Sequence, residues 1–159
     1  MKKIQQTAAI FCTTLFLGAS IGSAAAQNLV EAKDLETILD VAKGFGSASL
    51  DKDSQGDPVI QGRSDGIKYS INFYDCKPDV GCWDMQFMAG WSNVKVSLDA
   101  INDWNRETRY GKAYLDKDSD PNLKMAVNVK HGVSRKNLED TFDWWFVALK
   151  DFKKDVVKD

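Results

Sequence analysis

This sequence predicts an α+β fold, a single mainly antiparallel sheet of five or six strands packed with three helices. Three observations carry the prediction. Apolar residues recur at helical spacing in three separated stretches. Between them they alternate with polar residues, as half-buried strands do. Within each run of strands the connections are short and rich in turn formers. The order is helix, three or four strands, helix, two strands, helix.

The chain opens on a leader. Lys2 and Lys3 are basic, Thr7 to Gly22 is apolar or small, and Ser23-Ala24-Ala25-Ala26 places small side chains before a cut at Gln27. That order is the pattern of a cleavable signal peptide over 1–26. Three threonines and two glycines dilute the apolar run below a membrane anchor, which needs about 20 strongly apolar residues. Phe11 stands where a lipoprotein needs a small residue before its cysteine, so Cys12 is an incidental member of the leader. The expected mature domain is 27–159, periplasmic or secreted. Without Lys2 and Lys3 the 21 basic residues fall to 19 against 23 acidic ones, a mature charge of about −4 with the two signs mixed. Nucleic acid and anionic membrane surfaces call for a basic footprint that is absent here.

Leu35, Ile38, Leu39, Ala42 and Phe45 form the stripe of the first helix, which Gly44 and Gly46 stop. Ala48–Leu50 and Pro58–Gly62 read as short strands on either side of Asp51-Lys52-Asp53-Ser54-Gln55-Gly56-Asp57. Asp65-Gly66 signals a tight hairpin. Beyond it the odd positions from Ile67 to Phe73, and again from Trp83 to Trp91, are apolar. Cys76 and Cys82 fall at the facing ends of that hairpin, where opposed Cα atoms stand about 4.5 to 5.5 Å apart. In an oxidising compartment the pair reads as a structural disulfide. A two-residue redox spacing is lacking, and so is a further soft ligand for zinc.

Ser97 caps a second helix over Leu98–Thr108, with Leu98, Ile101 and Trp104 on one face. Ala113 and Leu115 begin another hairpin, which returns through Leu123, Met125, Val127 and Val129. Its loop, Asp116-Lys117-Asp118-Ser119-Asp120-Pro121-Asn122, is made of turn formers. Ser134 caps a third helix whose stripe is Leu138, Phe142, Trp145, Phe146, Leu149, Phe152 and Val156.

Several segments together resemble the YbjN-domain family of bacterial sensory transduction regulators. They are Gly56-Asp57-Pro58-Val59-Ile60-Gln61-Gly62, Phe73-Tyr74-Asp75-Cys76 with Cys82, Asn102-Asp103-Trp104-Asn105, Arg109 to Asp116, and Gly132-Val133-Ser134. The run from Asn102 to Asp116 is the most specific. The resemblance implies a fold similar to type III secretion chaperones and brings no catalytic residue set with it. The leader departs from cytoplasmic members of the family.

Chemistry is sparse. Asp51, Asp53, Gln55 and Gly56 match the first half of a calcium-binding EF-hand loop, but Gly62 stands at its twelfth position. Asp116, Asp118 and Asp120 repeat the spacing with Pro121 in the glycine position and Val127 at the twelfth. Aspartates also make metal-free turns. No metal or other cofactor is expected. His131 has no motif partner among Ser70, Ser92, Ser97 and Ser134.

Aromatic residues are the more informative feature. Trp83, Trp91, Trp104 and Trp145 fall on predicted core faces, whereas Trp144 stands one position off its helix's stripe. Tyr74 and Met88, and likewise Tyr110 and Tyr114, fall on the even, otherwise polar faces of their strands. If these five residues meet, they make a surface for a partner. The expectation is a non-enzymatic domain that binds a protein or peptide, with pairing of two copies open. A small-ligand sensor is the alternative, and an uncharacterised hydrolase is less favoured.

Overall fold

A computed structural model describes residues 28–158. The signal peptide expected over 1–26 lies outside the described residues. Helix α1 spans Leu35–Lys43, β1 Ser47–Lys52, β2 Pro58–Ser64, β3 Ile67–Tyr74 and β4 Asp84–Gly90. Helix α2 spans Leu98–Glu107, β5 Lys112–Leu115, β6 Pro121–Asn128 and α3 Arg135–Phe152. The element order and the antiparallel sheet are those expected, with six strands.

The strands lie in the order β1-β2-β3-β4-β6-β5, every neighbouring pair antiparallel. The alternation in the sequence sets the register. Ile60, Ile71, Phe87 and Met125 lie side by side across four strands, and Phe73, Met85 and Val127 form the next row. A one-residue slip would turn each of these side chains to the polar face.

The helices pack on that apolar face. Helix α3, about 27 Å long at 1.5 Å per residue, lays its stripe across the middle strands. Phe87 meets Phe142 edge-on at 4.9 Å and stacks on Trp145 at 5.3 Å. Tyr69 meets Phe146 edge-on at 5.1 Å, and Phe45, just past α1, stacks on Phe146 at 5.0 Å. Phe87, Phe142 and Trp145 are fully buried, and each contributes roughly 1.5–3 kcal/mol by leaving water. Tyr69 also fixes its neighbour, because a Cβ on Gly62 would fall 2.2 Å from the tyrosine ring.

Ser97 and Ser134 cap α2 and α3 as expected. Their hydroxyls accept from the backbone N–H groups of Ala100 and Asn137, each at 3.1 Å. Helix α3 does not stop at Phe152 but runs on into a π-helical turn, Lys153–Val157, which buries both Val156 and Val157. The β3–β4 hairpin continues in register to a Lys77–Gly81 bridge, so Cys76 faces Cys82 and the two form a disulfide. Their Cα atoms are 3.8 Å apart, nearer than the regular ladder spacing, where Asp75, Asp79 and Gly81 all have left-handed φ.

Candidate functional site

The five aromatic and methionine candidates separate into two groups. Tyr74, Met88 and Tyr114 lie on the helix-free face, as their even positions predict, interleaved with polar residues. Met88 pairs with Ser70 and Lys124, Tyr74 with Asp84, and Tyr114 with Asn122. Polar residues therefore surround each of them. The Tyr74 hydroxyl accepts from Gln86 Nε2 at 3.2 Å, and Lys124 Nζ stands 5.0 Å from the centre of the Tyr114 ring. Burial holds the Tyr114 hydroxyl above its ordinary pKa, with smaller contributions from the charges of Asp116 and Tyr74.

Tyr110 corrects the expectation. It precedes β5 and lies in the connection from α2, where no alternation applies, and it packs on the helical side. Its ring lies against Trp144 at 4.7 Å, tilted by 30°. Trp144 remains 42% exposed despite this contact. Trp83 also departs from its core assignment. It is half-buried at the start of β4, with Lys77 Nζ 4.5 Å and Lys130 Nζ 3.9 Å from its ring. Those two lysines join the disulfide loop to the end of β6.

The Tyr110–Trp144 pair stands at the mouth of a cleft of about 400 Å³ between the end of α2 and α3. Trp104, Val147 and Ala148 give it apolar lining, and Arg109 and Asp151 stand at its edges. Trp104 is buried and meets Phe152 edge-on at 5.1 Å, so this wall is anchored in the core. Its indole N–H has no acceptor among the described residues.

Asn105 holds the same wall in place. Its side-chain amide donates to Ala113 O at 3.0 Å, and its carbonyl accepts from Ala113 N at 2.8 Å. One side chain thus stands in for a neighbouring strand along the outer edge of β5 and ties α2 to it. The run from Asn102 to Asp116 builds this corner of the molecule.

The remaining candidates lie elsewhere. His131 is exposed at the end of β6 with φ of 72°, and it makes no hydrogen bond among the described residues. The two Asp loops have the same geometry. Asp53 Oδ1 accepts from the backbone of Gln55 and Asp57 at 2.8 and 3.0 Å, and Asp116 Oδ1 from Asp118 and Asp120 at 3.0 and 2.9 Å. These are the Asx-type turns that aspartate favours. The backbone bond from Asp120 is the main cause holding the Asp116 carboxyl below its ordinary pKa.

The geometry defines a class first: a single-sheet α+β domain, helices on one face, with one aromatic cleft between two of them. The comparisons are narrower. A family model described as "Putative bacterial sensory transduction regulator" matches residues 34–157, and the chain belongs to the YbjN family. A crystal structure of YbjN from E. coli, titled a putative transcription regulator, is 19% identical to the chain. It covers 81% of this chain and 97% of its own, with a TM-score of 0.47. No curated protein matches.

Proposed function

We propose that this chain is an exported, non-enzymatic regulatory module of the YbjN type that binds a segment of a protein partner in the cleft between α2 and α3. One observation carries the reading. An indole 42% exposed is held in place by a tyrosine at 4.7 Å, at the mouth of an apolar cleft braced on the core. Large exposed aromatics on rigid supports are typical anchors of protein interfaces.

Two measurements test it. In-cell cross-linking followed by pull-down of the mature protein should recover a partner that Trp144→Ala loses while keeping its far-UV spectrum. Undiminished recovery with the variant would remove the cleft from the reading. N-terminal sequencing of protein from the cell envelope should begin at Gln27, and a cytoplasmic chain beginning at Met1 would overturn export. A small-ligand reading has one observation in its favour, the buried Trp104 N–H without an acceptor beside the cleft. Native mass spectrometry of freshly purified protein separates the two, since an adduct of a few hundred daltons that Trp144→Ala sheds would favour the ligand.

A further inference from the structure

Taking the cleft as the binding site, as proposed above, the charges along α3, the wall that carries Trp144, indicate what kind of segment it takes. On the outer face of α3, Asp140, Trp144, Val147 and Asp151 fall at i, i+4, i+7 and i+11, a single stripe of a 3.6-residue helix. Trp144 and Val147 are 42% and 48% exposed, and both aspartates are exposed as well. Neither aspartate side chain makes an ion pair or hydrogen bond among the described residues. Lys150, next to Asp151 in sequence, is turned away and paired with Asp65 at 2.5 Å. Arg109 is the one basic residue lining the cleft, on its opposite wall. Lys136 and Lys154 stand one turn outside the two aspartates, four residues before Asp140 and three after Asp151, and form no ion pair with them, so the stretch between the aspartates carries no cation of the stripe.

We infer that the partner segment is a basic amphipathic helix, its two apolar anchors seated on Trp144 and Val147 and a lysine or arginine at each end facing Asp140 and Asp151. The carboxylates stand about 16 Å apart along the helix axis. A complementary helix needs cations at i and i+11 around apolar residues at i+4 and i+7, a pattern that reads the same in either direction. A second copy of this chain fits less well. A two-fold that seats Trp144 against the Val147 of a second copy brings Asp140 opposite Asp151, and like charges face each other at both ends. Anionic lipid surfaces meet the same repulsion.

The test uses two synthetic 18-residue helical peptides with leucines at i+4 and i+7. One carries lysines at i and i+11, the other glutamates, and binding to the mature protein is followed by calorimetry at low and high salt. The lysine peptide should bind at least tenfold more tightly than the glutamate peptide at low salt, and the gap should narrow as salt screens it. Asp140→Asn with Asp151→Asn should weaken the lysine peptide about fivefold to tenfold, the scale of two exposed charge pairs, and leave the glutamate peptide no weaker. Trp144→Ala should abolish binding of both. Equal binding of the two peptides, abolished by Trp144→Ala, would overturn the charge inference and leave the cleft standing. No binding of either, or binding indifferent to Trp144→Ala, would overturn both. A dimer in light scattering that Trp144→Ala dissociates would assign the face to a second copy and overturn the inference as well.

Discussion

Tyr69 shows how much one atom can matter at the residue scale. The residue is 3% exposed and its ring lies over Gly62, yet its hydroxyl has no hydrogen-bond partner among the described residues. A buried, unpaired hydroxyl costs about 1–3 kcal/mol. Tyr69→Phe should therefore stabilise the domain by about 1 kcal/mol, read as a higher urea midpoint at neutral pH. Burial also pushes the Tyr69 pKa up to about 12 from an ordinary 10.0. Below pH 10 the phenol is protonated in both states and the difference has no effect. As pH rises toward 12, the unfolded chain loses its proton and the folded one retains it, so stability falls by about 1.4 kcal/mol per pH unit. Urea midpoints at pH 9 and pH 11.5 should show the advantage of the phenylalanine variant growing, and a constant gap would contradict this account. The period-two pattern located Tyr69 on the core face. It carried no sign of the unpaired hydroxyl, because satisfaction of a polar atom depends on neighbours from other elements. Tyr110 was misplaced for a related reason: a residue in a connection has no period to read.

The Asn105 clamp and the twin Asp loops matter at the scale of the element. Asn105→Ala removes two hydrogen bonds from β5 and should cost about 2 kcal/mol. Amide exchange at Ala113 should rise more than at the paired positions of β6, while uniform acceleration would mean that the clamp has only a global effect. In the two loops, the fourth residue is left-handed, Gly56 with φ of 91° and Ser119 with φ of 62°. Gly56→Ser should destabilise by about 1 kcal/mol, since side chains other than glycine occupy that region at a cost. Ser119→Gly should be neutral to stabilising. Thermal melts of the two variants should move in these opposed senses. The middle strands and α3 were legible because each buries one face, and burial of one face produces a period. Strand β1 runs over six residues where three were expected, because an exposed edge strand carries little alternation. The clamp left no mark on the sequence beyond an asparagine inside a helix.

For the whole molecule, the Cys76–Cys82 bond closes a loop of seven residues. In the chain-entropy account that constraint stabilises by about 2.4 kcal/mol. Cys76→Ser with Cys82→Ser should lower the unfolding free energy by about that amount, and an unchanged urea curve would show the loop to be held by Trp83 and its lysines alone. The fold was legible at this scale because six strands, three helices and short turns leave few antiparallel arrangements. The cleft was not, because it lies where α2 and α3 meet and no sequence pattern spans both. The edges of the sheet carry one more implication. Asn105 occupies the outward N–H and C=O of Ala113 on β5, and no described side chain does the same at β1. A strand added at β5 would have to displace that amide, and one added at β1 would not. Edge pairing of two copies is therefore easier through β1 than through β5, and removing the amide of Asn105 would even out the two ends.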